Sequence, residues 1–177
     1  MKKIFLFIPI ISLMFASFFS LPVQAATTDQ IVTQLQNYLT VQKDGTVQFD
    51  IERAKKDKKS SDFIMAGVSA EEYTLAQDIQ FNPDSEYTAN EYHGNFCGPG
   101  TQNMNAKPVD ILDAQCKKHD LCYSKTYNSC QCDRGLIADV KNIMGKLSGT
   151  KKVKAQGILA AMYAKLNAPL GCKNYAS

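Results

Sequence analysis

Apolar positions recur at helical spacing through most of this chain, and the interruptions divide it into a small number of elements. In residues 27–40, Ile31, Val32, Leu35, Tyr38 and Leu39 fall on one helical face, with Thr28 or Asp29 as the expected cap. Residues 40–51 alternate instead, around Lys43-Asp44-Gly45, which predicts a hairpin. A charged run follows over 52–62, read either as a solvated helix or as a linker. Ser69 and Glu72 form a capping-box pair, so a helix is predicted over 69–81, with Val68, Tyr73, Ala76 and Ile79 on its apolar side and a stop at Asn82-Pro83-Asp84. The glycines of 87–104 predict a loop. Helices are then predicted over 108–123, from Ser129 through Leu147, and over 151–168, the last with Val153, Leu159, Met162, Tyr163 and Leu166 as its apolar side. The chain shows no internal repeat. This is the pattern of a mainly α protein.

Two of these helices carry polar groups where apolar ones are expected. On the helix ending at Tyr123, setting Cys116 at about 0° puts His119 near 300°, Asp120 near 40° and Tyr123 near 340°. A base, a hard-metal ligand, a hydroxyl and a crosslink thus share one face. On the helix from Ser129, Asp133 points the same way as Leu136, Ile137, Val140, Met144 and Leu147. A carboxylate facing the core needs a partner, because an unpaired buried charge is very costly. Only six residues separate Tyr123 from Cys130, so the two helices are expected to be antiparallel neighbours, with His119 as the partner of Asp133. The rival placement is a carboxylate on the helix rim, meeting solvent or the helix N-terminus.

Composition adds a compartment. Lys2 and Lys3 precede a nearly continuous apolar run, Ile4 to Leu21, and Val23-Gln24-Ala25 supplies small residues for cleavage. Residues 1–25 are therefore read as a secretory signal peptide cut after Ala25, rather than a membrane anchor, since no basic stop-transfer flank follows. Secretion makes the six cysteines, Cys97, Cys116, Cys122, Cys130, Cys132 and Cys172, a set of three disulfides, with 15 pairings open. A zinc site is the alternative for this cysteine and histidine spacing, disfavoured in an oxidising compartment.

The charge of +3 conceals a division. Residues 26–90 hold six basic and eleven acidic groups; residues 91–177 hold twelve basic and six acidic. A cationic, cysteine-rich half favours anionic surfaces such as lipid headgroups. The acidic half, with Lys55-Lys56 and Lys58-Lys59, is read either as a removable prosegment covering the basic half or as an integral extension. In the second reading Tyr73, Ala76 and Ile79 offer an apolar surface to the second half. The expected division is 1–25 signal peptide, 26–68 extension or prosegment, and 69–177 catalytic domain.

The chemistry follows from the pairing. A histidine backed by a carboxylate is a general base with a fixed tautomer. No nucleophile-elbow motif accompanies it, so the nucleophile is an activated water. Phe96-Cys97-Gly98-Pro99-Gly100 can turn backbone carbonyls toward one point, and carbonyls with the Asp120 carboxylate are hard ligands suited to calcium.

These motifs resemble a known family. Tyr92-His93-Gly94-Asn95-Phe96-Cys97-Gly98-Pro99-Gly100, then Asp113-x-x-Cys116-x-x-His119-Asp120-x-Cys122-Tyr123, then Cys130-x-Cys132-Asp133-Arg134 are similar to secreted calcium-dependent phospholipase A2. The resemblance implies a mainly α fold: two antiparallel, disulfide-linked catalytic helices and a calcium loop, here with a small N-terminal extension. It implies that His119 activates water, Asp133 orients His119, and Tyr123 hydrogen-bonds Asp133. Asp120 and the carbonyls of Phe96, Gly98 and Gly100 would bind calcium, which would hold the substrate phosphate and stabilise the oxyanion at the sn-2 ester. It also suggests the pairs Cys97–Cys116 and Cys122–Cys132, leaving Cys130–Cys172. Gln115 stands where animal members carry a further cysteine, and the segment before Cys130 is short, so the chain is closer to the reduced bacterial or fungal members. The expected partner is a phospholipid membrane surface, with no nucleic acid, and the expected state a monomer. A catalytically inactive membrane- or receptor-binding relative is the alternative function. His93 is read as a solvent-facing loop residue.

Overall fold

The computed structural model describes residues 26–81, 92–98, 103–125 and 129–168. The expected signal peptide and Cys172 lie outside these residues. The fold is mainly α, as predicted. Its elements are α1 (Thr28–Leu35), a 3-10 turn (Gln36–Tyr38), β1 (Leu39–Val41), β2 (Val47–Phe49), α2 (Ile51–Lys56), α3 (Ser61–Phe81), α4 (Ile111–Tyr123), α5 (Ser129–Ile143), a second 3-10 turn (Met144–Lys146) and α6 (Gly149–Asn167).

α6 is the centre. Every residue from Ala155 to Met162 is buried, so this helix is surrounded rather than one-sided. The predicted apolar side holds Leu159 and Met162, but Ala155, Gly157, Ala160, Ala161 and Ala164 are also inside. These small residues let neighbouring helices approach the α6 backbone. The closest approach is to α3: a Cβ on Gly157 would stand 2.8 Å from the carbonyl carbon of Ser69. α1 and α5 pack on other sides of α6.

α3 differs most from expectation. It begins at Ser61, not Ser69, and runs through the 68/69 position taken as a domain boundary. Phe63, Ala66, Ala70 and Tyr73 form one buried stripe at helical spacing that the charged residues just before it obscure. Ser60 caps the helix, accepting from the Phe63 N–H at 3.3 Å. Ser69 is therefore interior and buried, and no capping box forms there.

The predicted hairpin is present, β1 and β2 pairing antiparallel with Leu39 opposite Phe49. It docks on α3 through side-chain acceptors. The Val47 N–H donates to Thr74 Oγ1 at 2.8 Å and the Phe49 N–H to Glu71 Oε2 at 3.2 Å. The cap of α1 is Thr27, one residue earlier than expected, in a reciprocal box with Gln30. Val32, Leu35, Tyr38 and Phe49 belong to the same core as α3, α5 and α6. The charged run resolves into α2 and a connector. Among the described residues no helix is long and apolar enough to cross a membrane.

Candidate active site

The site is assembled on α4, which begins at Asp110. This carboxylate accepts the N–H groups of Leu112 and Asp113, both at 3.0 Å, capping the helix. It also receives His93 Nε2 at 3.0 Å and Lys151 Nζ at 3.0 Å. Burial opposes the Asp110 charge. The Asp113 N–H, then His93 and Lys151, outweigh it and hold the carboxyl well below its ordinary range. His93 is thus half-buried and paired, not solvent-facing; its reach to an aspartate seventeen residues on is a tertiary fact.

One turn later Asp113 is completely buried. It accepts backbone N–H groups from Phe96 at 2.8 Å, Val109 at 2.9 Å and Asn95 at 3.1 Å. Its carboxylate therefore holds the glycine loop against α4. Gly94 has φ +63°, and a Cβ there would lie 2.3 Å from the Asp113 carboxyl carbon. Sequence reasoning placed Asp113 on this helix without giving it a task. The signal was its spacing: three residues before Cys116 and six before His119, it shares their inward face.

Cys116 joins Cys97 of the loop, and Cys122 joins Cys132 of α5, with Cα separations of 5.1 and 5.6 Å. These are the two suggested pairings. Cys130 is also disulfide-bonded; its expected partner, Cys172, lies outside the described residues.

The Cys122–Cys132 link brings α5 alongside α4, and Asp133 comes opposite His119. His119 Nε2 lies 2.9 Å from Asp133 Oδ1, both residues 6% exposed. A carboxylate only accepts, so Nε2 is the donor, and in the neutral ring the lone pair is then on Nδ1. Tyr123 donates its hydroxyl to the same Oδ1 at 2.6 Å, and its ring meets the His119 ring edge-on at 4.7 Å. Burial, then the Asp133 charge, push the Tyr123 phenol far above its ordinary range, keeping it a neutral donor. Lys118 and Asp139 add an ion pair between the two helices at 2.6 Å.

Tyr73 of α3, which offers apolar surface if residues 26–68 are an integral extension, is buried, and its phenol is raised well above the ordinary value by burial and then by the charge of Asp133. The side chains of Ala76 and Ile79 lie outside the described set.

The structure thus brings His119, Asp133 and Tyr123 into direct contact. Phe96, buried, and Gly98 stand on the loop; half-buried Asp120 follows His119 on α4; Gly100 lies outside the described residues. Among the described residues no group of three or more His, Cys, Asp or Glu gathers to hold a metal. An ion here would take one carboxylate, Asp120, with backbone oxygens. That donor set is hard and fits calcium rather than zinc or copper.

Residues 85–147 match the model of the phospholipase A2-like domain family. That match supports a phospholipase A2-like family. It contains the loop, α4 and α5, the three elements that carry the site. No curated protein and no solved structure matches the chain.

Proposed function

We propose that this protein is a secreted, calcium-dependent phospholipase A2 of the reduced type found in bacteria and fungi. It would hydrolyse the sn-2 ester of glycerophospholipids at a membrane surface, as a monomer. The observation that carries the reading is the buried His119 Nε2–Asp133 Oδ1 hydrogen bond at 2.9 Å.

Asp133 holds His119 in the tautomer that leaves Nδ1 able to take a proton from water. The resulting hydroxide adds to the ester carbonyl, and the C–O bond to the glycerol oxygen breaks. The proton on Nδ1 passes to that oxygen, giving a lysophospholipid and a fatty acid. Asp133, steadied by Tyr123, balances the charge on His119 while it holds the proton. Asp120 with the carbonyls of Phe96, Gly98 and Gly100 would hold the calcium ion. When bound, the ion supplies positive charge for the substrate phosphate and the developing oxyanion. An inactive relative needs none of these groups, and all three of His119, Asp120 and Asp133 are here.

The test is fatty-acid release from phospholipid vesicles. His119→Gln is expected to lower the rate by roughly 10²–10⁴-fold, the range for loss of a general base, and excess chelator to abolish it. Hydrolysis at the undiminished rate in either condition rules the mechanism out.

A further inference from the structure

Tyr92 stands just before the loop and has no part in the chemistry above. It is buried, and its hydroxyl meets two elements at once. It donates to the Lys154 carbonyl of α6 at 2.7 Å and lies 2.6 Å from Ser69 Oγ of α3. With its own proton given to the carbonyl, its oxygen accepts from Ser69. Its ring packs edge-on against Tyr73 of α3 at 5.2 Å. Lys154 reaches back over that ring and donates its ammonium to the Tyr92 carbonyl. On its other side Tyr92 backs onto the loop. A Cβ on Gly98 would come 3.0 Å from the Tyr92 nitrogen. The next residue, His93, exchanges two backbone hydrogen bonds with Cys97, at 2.9 and 3.2 Å.

A tyrosine serving only as core filling needs one hydrogen-bond partner, and either helix could supply it. Tyr92 uses both. The loop's bonds to Asp113 and its disulfide to Cys116 lead to α4 alone. Tyr92 leads to the other side of the molecule, including the helix that begins in the N-terminal half.

We propose that Tyr92 is a positioning residue: by joining Ser69 of α3 and the Lys154 carbonyl of α6, it fixes the 93–98 loop in the orientation that its carbonyls need to hold a cation. That the cation is calcium rests on the function proposed above; that the loop is held through Tyr92 does not.

The test uses the full chain carrying Tyr92→Phe, which keeps the ring against Tyr73 and deletes both hydroxyl bonds. Loss of about one net hydrogen bond predicts amide hydrogen exchange at Phe96 and Cys97 faster by about fivefold or more, with Leu136 to Val140 of α5 unchanged. Calcium affinity, measured by titration calorimetry, is expected to weaken by a similar factor, and the deficit in hydrolysis to be made good by excess calcium. Ser69→Ala removes the α3 bond from its other end and should move the same amides by less; it carries the measurement if the first variant does not fold. Unchanged loop exchange overturns the proposal, as does an acceleration spread equally over α5. If the wild-type protein binds no calcium and releases no fatty acid, the proposed function fails, and the exchange data still decide what Tyr92 does.

Discussion

Asp113 sets the terms at the scale of single residues. It is a buried carboxylate satisfied by three backbone N–H groups from two segments. Those bonds turn the 94–97 peptides toward α4. They also leave no room at Gly94, where the backbone is left-handed and a Cβ would meet the carboxylate. Gly94→Ala should therefore cost roughly 2 kcal/mol or more, combining a positive-φ penalty with overpacking of a buried charge. Urea denaturation measures this, and a loss below a few tenths of a kcal/mol would show that the loop is not held as described.

Among the elements, α4 is the one on which the candidate site converges, and its first turn carries a pH dependence. Asp110 is held below its ordinary range by the Asp113 N–H, His93 and Lys151 against the opposing effect of burial. A depressed carboxyl contributes stability above its unfolded value, near pH 4, and loses it as the pH falls through the lower folded value. Asp110→Asn keeps a capping oxygen but removes the charge. The variant should be less stable than wild type at pH 6, and the gap should close as the pH falls below about 4. Melting temperatures measured in parallel across that range decide the matter; a gap that stays constant would mean that shape, not charge, is what Asp110 supplies. The other end of α4 is fixed by the Cys122–Cys132 link and by Tyr123, so both termini of this helix are anchored to different partners.

At the scale of the whole molecule the acidic and basic halves do not meet mainly as charges. Lys141 and Asp29 form an ion pair at 3.0 Å between α5 and α1, but Val32, Leu35, Tyr38, Val47 and Phe49 are buried apolar groups. Tyr38 and Phe63 pack edge-on at 5.4 Å, and Gln36 donates to the Ala160 carbonyl of α6 at 3.0 Å. Each such apolar side chain contributes roughly 1.5–3 kcal/mol on burial, against a total stability of about 5–15 kcal/mol for a domain. A chain beginning at Ser61 is expected to lose its cooperative thermal transition and to bind a hydrophobic dye. A truncated protein that melts cooperatively and hydrolyses lipid at the full rate would favour the prosegment reading.

Read alone, the residues reached the helical character of the chain, the hairpin, the apolar stripe of α5 and the pairing of His119 with Asp133. Each of these rests on short-range periodicity, or on the rule that a core-facing charge needs a partner within reach of a short connection. The Cys97–Cys116 and Cys122–Cys132 pairs came from the family resemblance, not from spacing. The start of α3, the burial of α6 on all sides and the work of Asp113, Asp110, His93 and Tyr92 came only with the tertiary structure. α3 was misread because the charges of 52–62 run into it, while its first buried residues face α6 and the hairpin, partners distant in sequence. α6 carries no one-sided stripe, because a surrounded helix is marked by small residues, which periodicity does not weigh. Asp113 and Tyr92 look ordinary in the chain, since what makes each of them matter is a backbone N–H or carbonyl supplied by another element. Side-chain chemistry can be read along a sequence; which main-chain groups come to meet it is decided by the fold.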